Sequence, residues 1–75
     1  MNPDPQREAW ARFLRAKMDA AGVSVADVAK ACGVGKSTVQ HWRGGRMPPA
    51  NAVRPLARAL RLSLTALLDG IDGSS

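Results

Sequence analysis

Lys36, Ser37, Gln40 and His41 stand close together in mid-chain, in the run Gly35-Lys36-Ser37-Thr38-Val39-Gln40-His41. Gly35-Lys36-Ser37 has the ending of a phosphate-cradling loop, GxxxxGK[ST], but the first glycine of that pattern would fall at Lys30 and no strand precedes it. Ser37 and His41 are four apart, the spacing that sets a nucleophile and its base on one helix face. A catalytic pair also needs an orienting acid and an oxyanion site in a pocket, and no carboxylate lies between Val28 and Leu68. A metal centre fails on ligand count, with one cysteine and one histidine in the chain. Cys32 also cannot form an intrachain disulfide, and beside Val28 and Ala29 it reads as a small core residue. The expectation is therefore neither an enzyme nor a cofactor protein. Lys36, Ser37, Gln40 and His41 are left with hydrogen bonding from a surface.

The charges indicate what such a surface would meet. From Met1 to Asp27, Arg7, Arg12, Arg15 and Lys17 balance Asp4, Glu8, Asp19 and Asp27. From Val28 to Leu68 there are seven bases (Lys30, Lys36, Arg43, Arg46, Arg54, Arg58 and Arg61) and no acid. Asp69 and Asp72 close the chain, whose net charge is +5. A basic segment can be no more than a solvated face, but around a polar helix it is the footprint of a protein that meets phosphate.

Two short helices joined by a glycine turn would position these residues. Ser24 and Asp27 make an [ST]-x-x-[DE] capping box. Val23 and Val28 are placed as a hydrophobic staple, and Val25, Val28, Ala29 and Cys32 recur at helical spacing. Gly33 suits the left-handed end of that helix. Gly35 opens a second helix that buries Val39 and Trp42, exposes Lys36, Ser37, Gln40 and His41, and ends at Gly44-Gly45. These are the ingredients of a helix-turn-helix.

The flanks read as helices too. Asp4 and Pro5 suit a cap and first turn, and Trp10, Phe13, Leu14, Met18 and Ala21 form a stripe that Gly22 ends. A stiff Pro48-Pro49 loop leads to a fourth helix capped by Asn51, with Pro55 at the end of its first turn and Val53, Leu56, Ala57 and Leu60 facing inward. Ser63 caps a fifth through Leu64, Leu67 and Leu68, which Gly70 ends. The expected organisation is a flexible N-terminus (1–5), one all-α domain (6–70) and a flexible tail (71–75). No run approaches 18 apolar residues and no signal-peptide pattern opens the chain, so a soluble cytoplasmic protein is expected.

Ala29, Gly33, Val39 and Trp42, with the downstream Arg46-Met47-Pro48-Pro49 and the stretch Leu56–Gly70, carry a resemblance covering residues 10 to 70. The chain resembles the lambda-repressor-like, Cro-type helix-turn-helix regulators, the xenobiotic-response-element type included. The resemblance implies a compact five-helix domain and a bacterial or phage transcriptional regulator, such as a repressor, working at the nucleoid. Its second motif helix would lie in the major groove of double-stranded DNA.

Carried over residue by residue, Lys36, Ser37, Gln40 and His41 are the base-reading candidates. Lysine can donate to guanine O6 and N7, and glutamine can pair bidentately with adenine. Thr38 is expected to turn toward the second helix or the DNA backbone. Phosphates would be held by Ser24, Val25, Thr38, Arg43, Arg46 and Asn51, partly through backbone N–H groups at the starts of helices 2 and 4. Two positions depart from the family pattern. Val25 stands where many relatives carry a supporting Gln. Met18 and Arg43 stand where many pair an Arg with a Glu, which frees Arg43 for phosphate.

The resemblance also implies a two-fold operator bound by a weak homodimer, formed on DNA or through Leu62, Leu64, Leu67 and Ile71, with no membrane or small-molecule partner. The competing readings are an antitoxin or partner-binding module on the same fold, and an RNA binder. The latter lacks exposed aromatics for stacking unpaired bases.

Overall fold

Apolar side chains recur at three- and four-residue spacing along the chain, and each such run is a helix. The computed structural model describes residues 5–72, arranged as α1 (Pro5–Ala21), α2 (Val25–Cys32), α3 (Lys36–Arg43), α4 (Ala50–Ala59) and α5 (Leu64–Asp72). No strand occurs among the described residues. The fold is all-α with five helices, as the sequence implies. The cap expected at Asp4 lies outside the described residues.

Each helix contributes to one core. Trp10, Leu14 and Met18 of α1 meet Val28 and Ala29 of α2, Val39 and Trp42 of α3, Leu56 of α4 and Leu67 of α5. α1 packs on α3 and α5, α2 packs on α3 and α4, and α4 packs on α5. α3 is thus held from both sides, by α1 and by α2.

The capping box forms as expected. The Asp27 N–H donates to Ser24 Oγ at 3.1 Å, and the Ser24 N–H donates to Asp27 Oδ2 at 3.0 Å. Ser24 holds the Asp27 carboxyl below its ordinary value of 3.8, through its backbone N–H first and its hydroxyl second. A carboxylate with a lowered folded-state pKa stabilises the fold above its unfolded pKa and loses that contribution as pH falls through the folded value. Acid titration should therefore unfold the wild type partly through this group below about pH 4. Asp27→Asn should flatten that limb of a stability–pH curve followed by circular dichroism; an unchanged limb would contradict the assignment.

Gly33 ends α2 at φ 68, and its N–H reaches the Ala29 and Lys30 carbonyls. A side chain at that φ would crowd its own backbone. Gly35 N-caps α3 and Gly44 follows its last residue. At the other end, Ser63 Oγ accepts from the Ala66 N–H at 3.1 Å, the expected cap of α5.

Three expectations are corrected. α4 begins at Ala50 with Pro49, not Asn51, as its N-cap. Pro49 is extended (φ −69, ψ 159), a geometry its ring already favours, and alanine is the better helix starter. Pro55 consequently lies inside α4 rather than in its first turn, so the helix forgoes the bond that residue 55 would donate to the Asn51 carbonyl. Finally, α5 runs through Gly70 to Asp72 instead of ending at Gly70, so Ile71 and Asp72 are helical, as is Pro5 at the other end. The Gln6 Nε2 donates to the Ile71 carbonyl at 3.1 Å and ties that last turn to α1.

Gly70 is buried, and a Cβ built on it would lie 2.4 Å from the Phe13 ring. It is therefore a close-packing residue and not a helix stop. The ring cannot easily withdraw, because it stacks on Trp10 at 5.9 Å and carries Lys17 Nζ 5.6 Å from its centroid. Gly70→Ala is expected to cost about 1–2 kcal/mol through overpacking, despite alanine's better helix propensity. Thermal melts of the two proteins check this, and an unchanged or raised midpoint would contradict the packing role.

Candidate nucleic-acid interface

α3 has two unlike sides. Val39 and Trp42 are 0% and 1% exposed, whereas Lys36, Ser37, Gln40 and His41 all lie on the surface. Val39 and Trp42 anchor the helix in the core, and the four polar residues stand together on the side left over. Lys36 and Ser37 occupy the first turn, and Gln40 and His41 come one turn later. Exposed hydrogen-bonding groups of both kinds, on a rigid helix within the acid-free segment, are able to read the edges of bases.

The residues expected to hold phosphate differ in exposure and in what already engages them. Ser24 is exposed, but the capping box engages both its hydroxyl and its N–H. Val25 is half-buried against the core, and the N–H groups of Val25 and Ala26 are the donors that α2 cannot bond to itself. Asn51 is exposed as the second residue of α4. Because that helix starts one residue early, its orphan donors are Ala50 and Asn51; the Ala52 N–H already bonds the Pro49 carbonyl at 2.9 Å. Thr38 is half-buried and lines a depression with His41, Trp42, Arg46, Met47 and Pro49, beside the α3–α4 loop.

Arg43 is the last residue of α3 and is half-buried, while Arg46 is exposed in the loop. Met18, 4% exposed, belongs to the core. The backbone at this end of α3 is held by α1. Arg15 Nε donates to the Arg43 carbonyl at 3.2 Å, and Trp10 Nε1 donates to the Arg46 carbonyl at 2.9 Å. Neither contact was legible in the sequence, since the partners are 28 and 36 residues apart and share no periodicity.

A family model described as a helix-turn-helix domain matches residues 9–69. The chain belongs to that family. The match spans all of α2, the turn and α3, and stops within α5. No curated protein and no solved structure matches the chain. As a helix-turn-helix domain the protein has the architecture of a DNA-binding regulator, with α2 and α3 as the motif. Among the described residues no helix is long and apolar enough to cross a membrane.

The face suggested for self-association changes in detail. Leu67 is fully buried and belongs to the core. Leu62 and Ile71 are partly buried, and among the described residues the exposed large apolar side chains are Leu64 and Leu68, at 39% and 44%. Leu64 and Leu68 are four apart on α5, a pairing the sequence contained but which Leu67 obscured.

Proposed function

We propose that the protein is a sequence-specific, double-stranded DNA-binding transcriptional regulator of bacterial or phage type, repressor-like or Cro-like, acting inside the cell. The side of α3 bearing Lys36, Ser37, Gln40 and His41 enters the major groove. Arg43, Arg46, Thr38 and the starts of α2 and α4 engage phosphates. The observation that carries this reading is the two-sidedness of α3: its apolar residues are consumed by the core and its polar residues are left free within a stretch devoid of acids.

Regulators of this architecture bind two-fold sites, and Leu64 and Leu68 offer a small apolar contact for a weak dimer that forms on the operator. Selection of bound sequences from a random duplex pool, at two salt concentrations, tests the reading. A palindromic consensus that survives the higher salt is expected. Steep salt dependence without a consensus would reduce the protein to an electrostatic binder. The alternative, an antitoxin-like module docking another protein through the Leu64–Leu68 side, predicts no enrichment at either salt.

A further inference from the structure

α4 carries no acid, and its arginines follow one stripe. Arg54 and Arg58 are four apart within the helix, and Arg61 comes three residues later, just past its end. All three are exposed, and their guanidinium groups pair with nothing among the described residues, Asp69 and Asp72 of α5 included. Like charges at this spacing repel and weaken a helix. Two hollows meet at Arg54 and Arg58. One is lined by these two with Ala31 of α2 and Pro55, and the other by these two with Ala57, Leu62 and Leu64. No acid and no residue of α3 lines either.

The apolar floor of the second hollow is made by the way α4 ends. Arg61 has φ 57, the one positive φ outside glycine among the described residues. Its N–H bonds the Arg58 carbonyl at 3.1 Å, and the Leu62 N–H bonds the Ala57 carbonyl at 2.9 Å. These are the paired bonds of a Schellman turn, which returns Leu62 to Ala57. Ser63 then caps α5, and Leu64 completes the hollow. Glycine would take the left-handed position without strain; the chain has a third guanidinium there.

The lining combines an apolar floor with unpaired cations, and that combination selects the occupant. Phosphate would use the arginines but not Ala57, Leu62 and Leu64. A second copy would use the leucines, but a two-fold contact centred on the hollow sets Arg54 and Arg58 near their own counterparts. In a chain of net charge +5 that contact is repulsive. A pairing through Leu64 and Leu68 lies further along α5, since Leu68 does not line the hollow. We propose that the hollow between α4 and α5 docks an acidic amphipathic helix of another protein. Its apolar side chains would rest on Ala57, Leu62 and Leu64 and its carboxylates on Arg54 and Arg58. The surface is separate from α3, so the proposal goes beyond the DNA-binding reading and does not depend on it. The apolar area is small and the charges are in solvent, so the contact is weak and weakens further with salt.

The test is selection of displayed random peptides on the full chain, followed by anisotropy titrations with labelled peptides of the consensus. Enrichment of acidic peptides with large apolar residues at helical spacing is expected. Arg54→Gln/Arg58→Gln should weaken their binding by about tenfold, and Leu64→Ala by about fivefold. Lys17→Gln deletes a charge at the Phe13 ring and should leave the affinity unchanged. No enrichment, or a consensus without acids, overturns the proposal. So does equal binding by wild type and the double variant, or an equal loss with Lys17→Gln. If the double variant instead lowers the salt slope of duplex binding by about two, the occupant is DNA and the proposal falls. It falls too if sedimentation shows a wild-type dimer that the double variant abolishes. Peptide docking by a chain that binds no duplex would keep this proposal and remove the DNA-binding reading alone.

Discussion

Trp10→Ala is expected to lower stability by about 3–5 kcal/mol. A domain of 75 residues has roughly 4–11 kcal/mol in all, so the substitution removes a large share of the total. Trp10 is fully buried, and its ring stacks on Phe13. It is also the donor to the Arg46 carbonyl, the bond that holds the α3–α4 loop against α1. Alanine would open a cavity that neighbouring helices can fill only in part and would strip that carbonyl of its partner. Trp10→Phe separates the two effects. It keeps most of the volume and loses the bond, at a cost of about 1–2 kcal/mol. Denaturant melts measure both, and an alanine variant within about 1 kcal/mol of wild type would show that the core does not depend on this ring.

Gln40→Ala and Lys36→Ala are each expected to weaken binding to the selected duplex by about 1–3 kcal/mol, and to relax preference at one position of the consensus. Both side chains are exposed, and neither makes a contact that holds the helix in place. A fall in affinity therefore comes with an unchanged melting temperature. Arg43→Ala provides the contrast: it should weaken binding to every duplex alike and lower the salt slope by about one. Repeating the selection with each variant distinguishes these outcomes. A changed consensus for Arg43→Ala with an unchanged one for Gln40→Ala would mean that α3 sits in the groove with a different face forward.

Local signals told most of the fold. The Ser24–Asp27 box, the glycines at 33, 35 and 44 and the three- and four-residue spacing of Val28, Ala29, Val39, Trp42 and Leu56 act over one or two turns, and they placed α2, the turn and α3 where the structure has them. The errors arose where tertiary packing overrode a local rule. Gly70 looked like a helix end because its use is a contact with Phe13, 57 positions away, and Gln6 on the Ile71 carbonyl carries α5 beyond it. Asn51 is a good cap by residue type, but Pro49 was already in the extended geometry that a cap needs. Of the candidate interface, the exposed residues of α3 were legible as the complement of its buried ones. The hold of α1 on the end of α3 was not, because Arg15 and Trp10 reach the Arg43 and Arg46 carbonyls from 28 and 36 positions away.

The central claim is that the exposed side of α3 is the surface that meets duplex DNA. Titrating a bound duplex into isotopically labelled protein and following the backbone amide shifts tests it most directly. The predicted result is a set of large shifts at Lys36–His41, with smaller ones at Val25, Ala50 and the α1 residues beside Arg43. Shifts confined to α5 around Leu64 and Leu68, with Lys36–His41 unmoved, would contradict it.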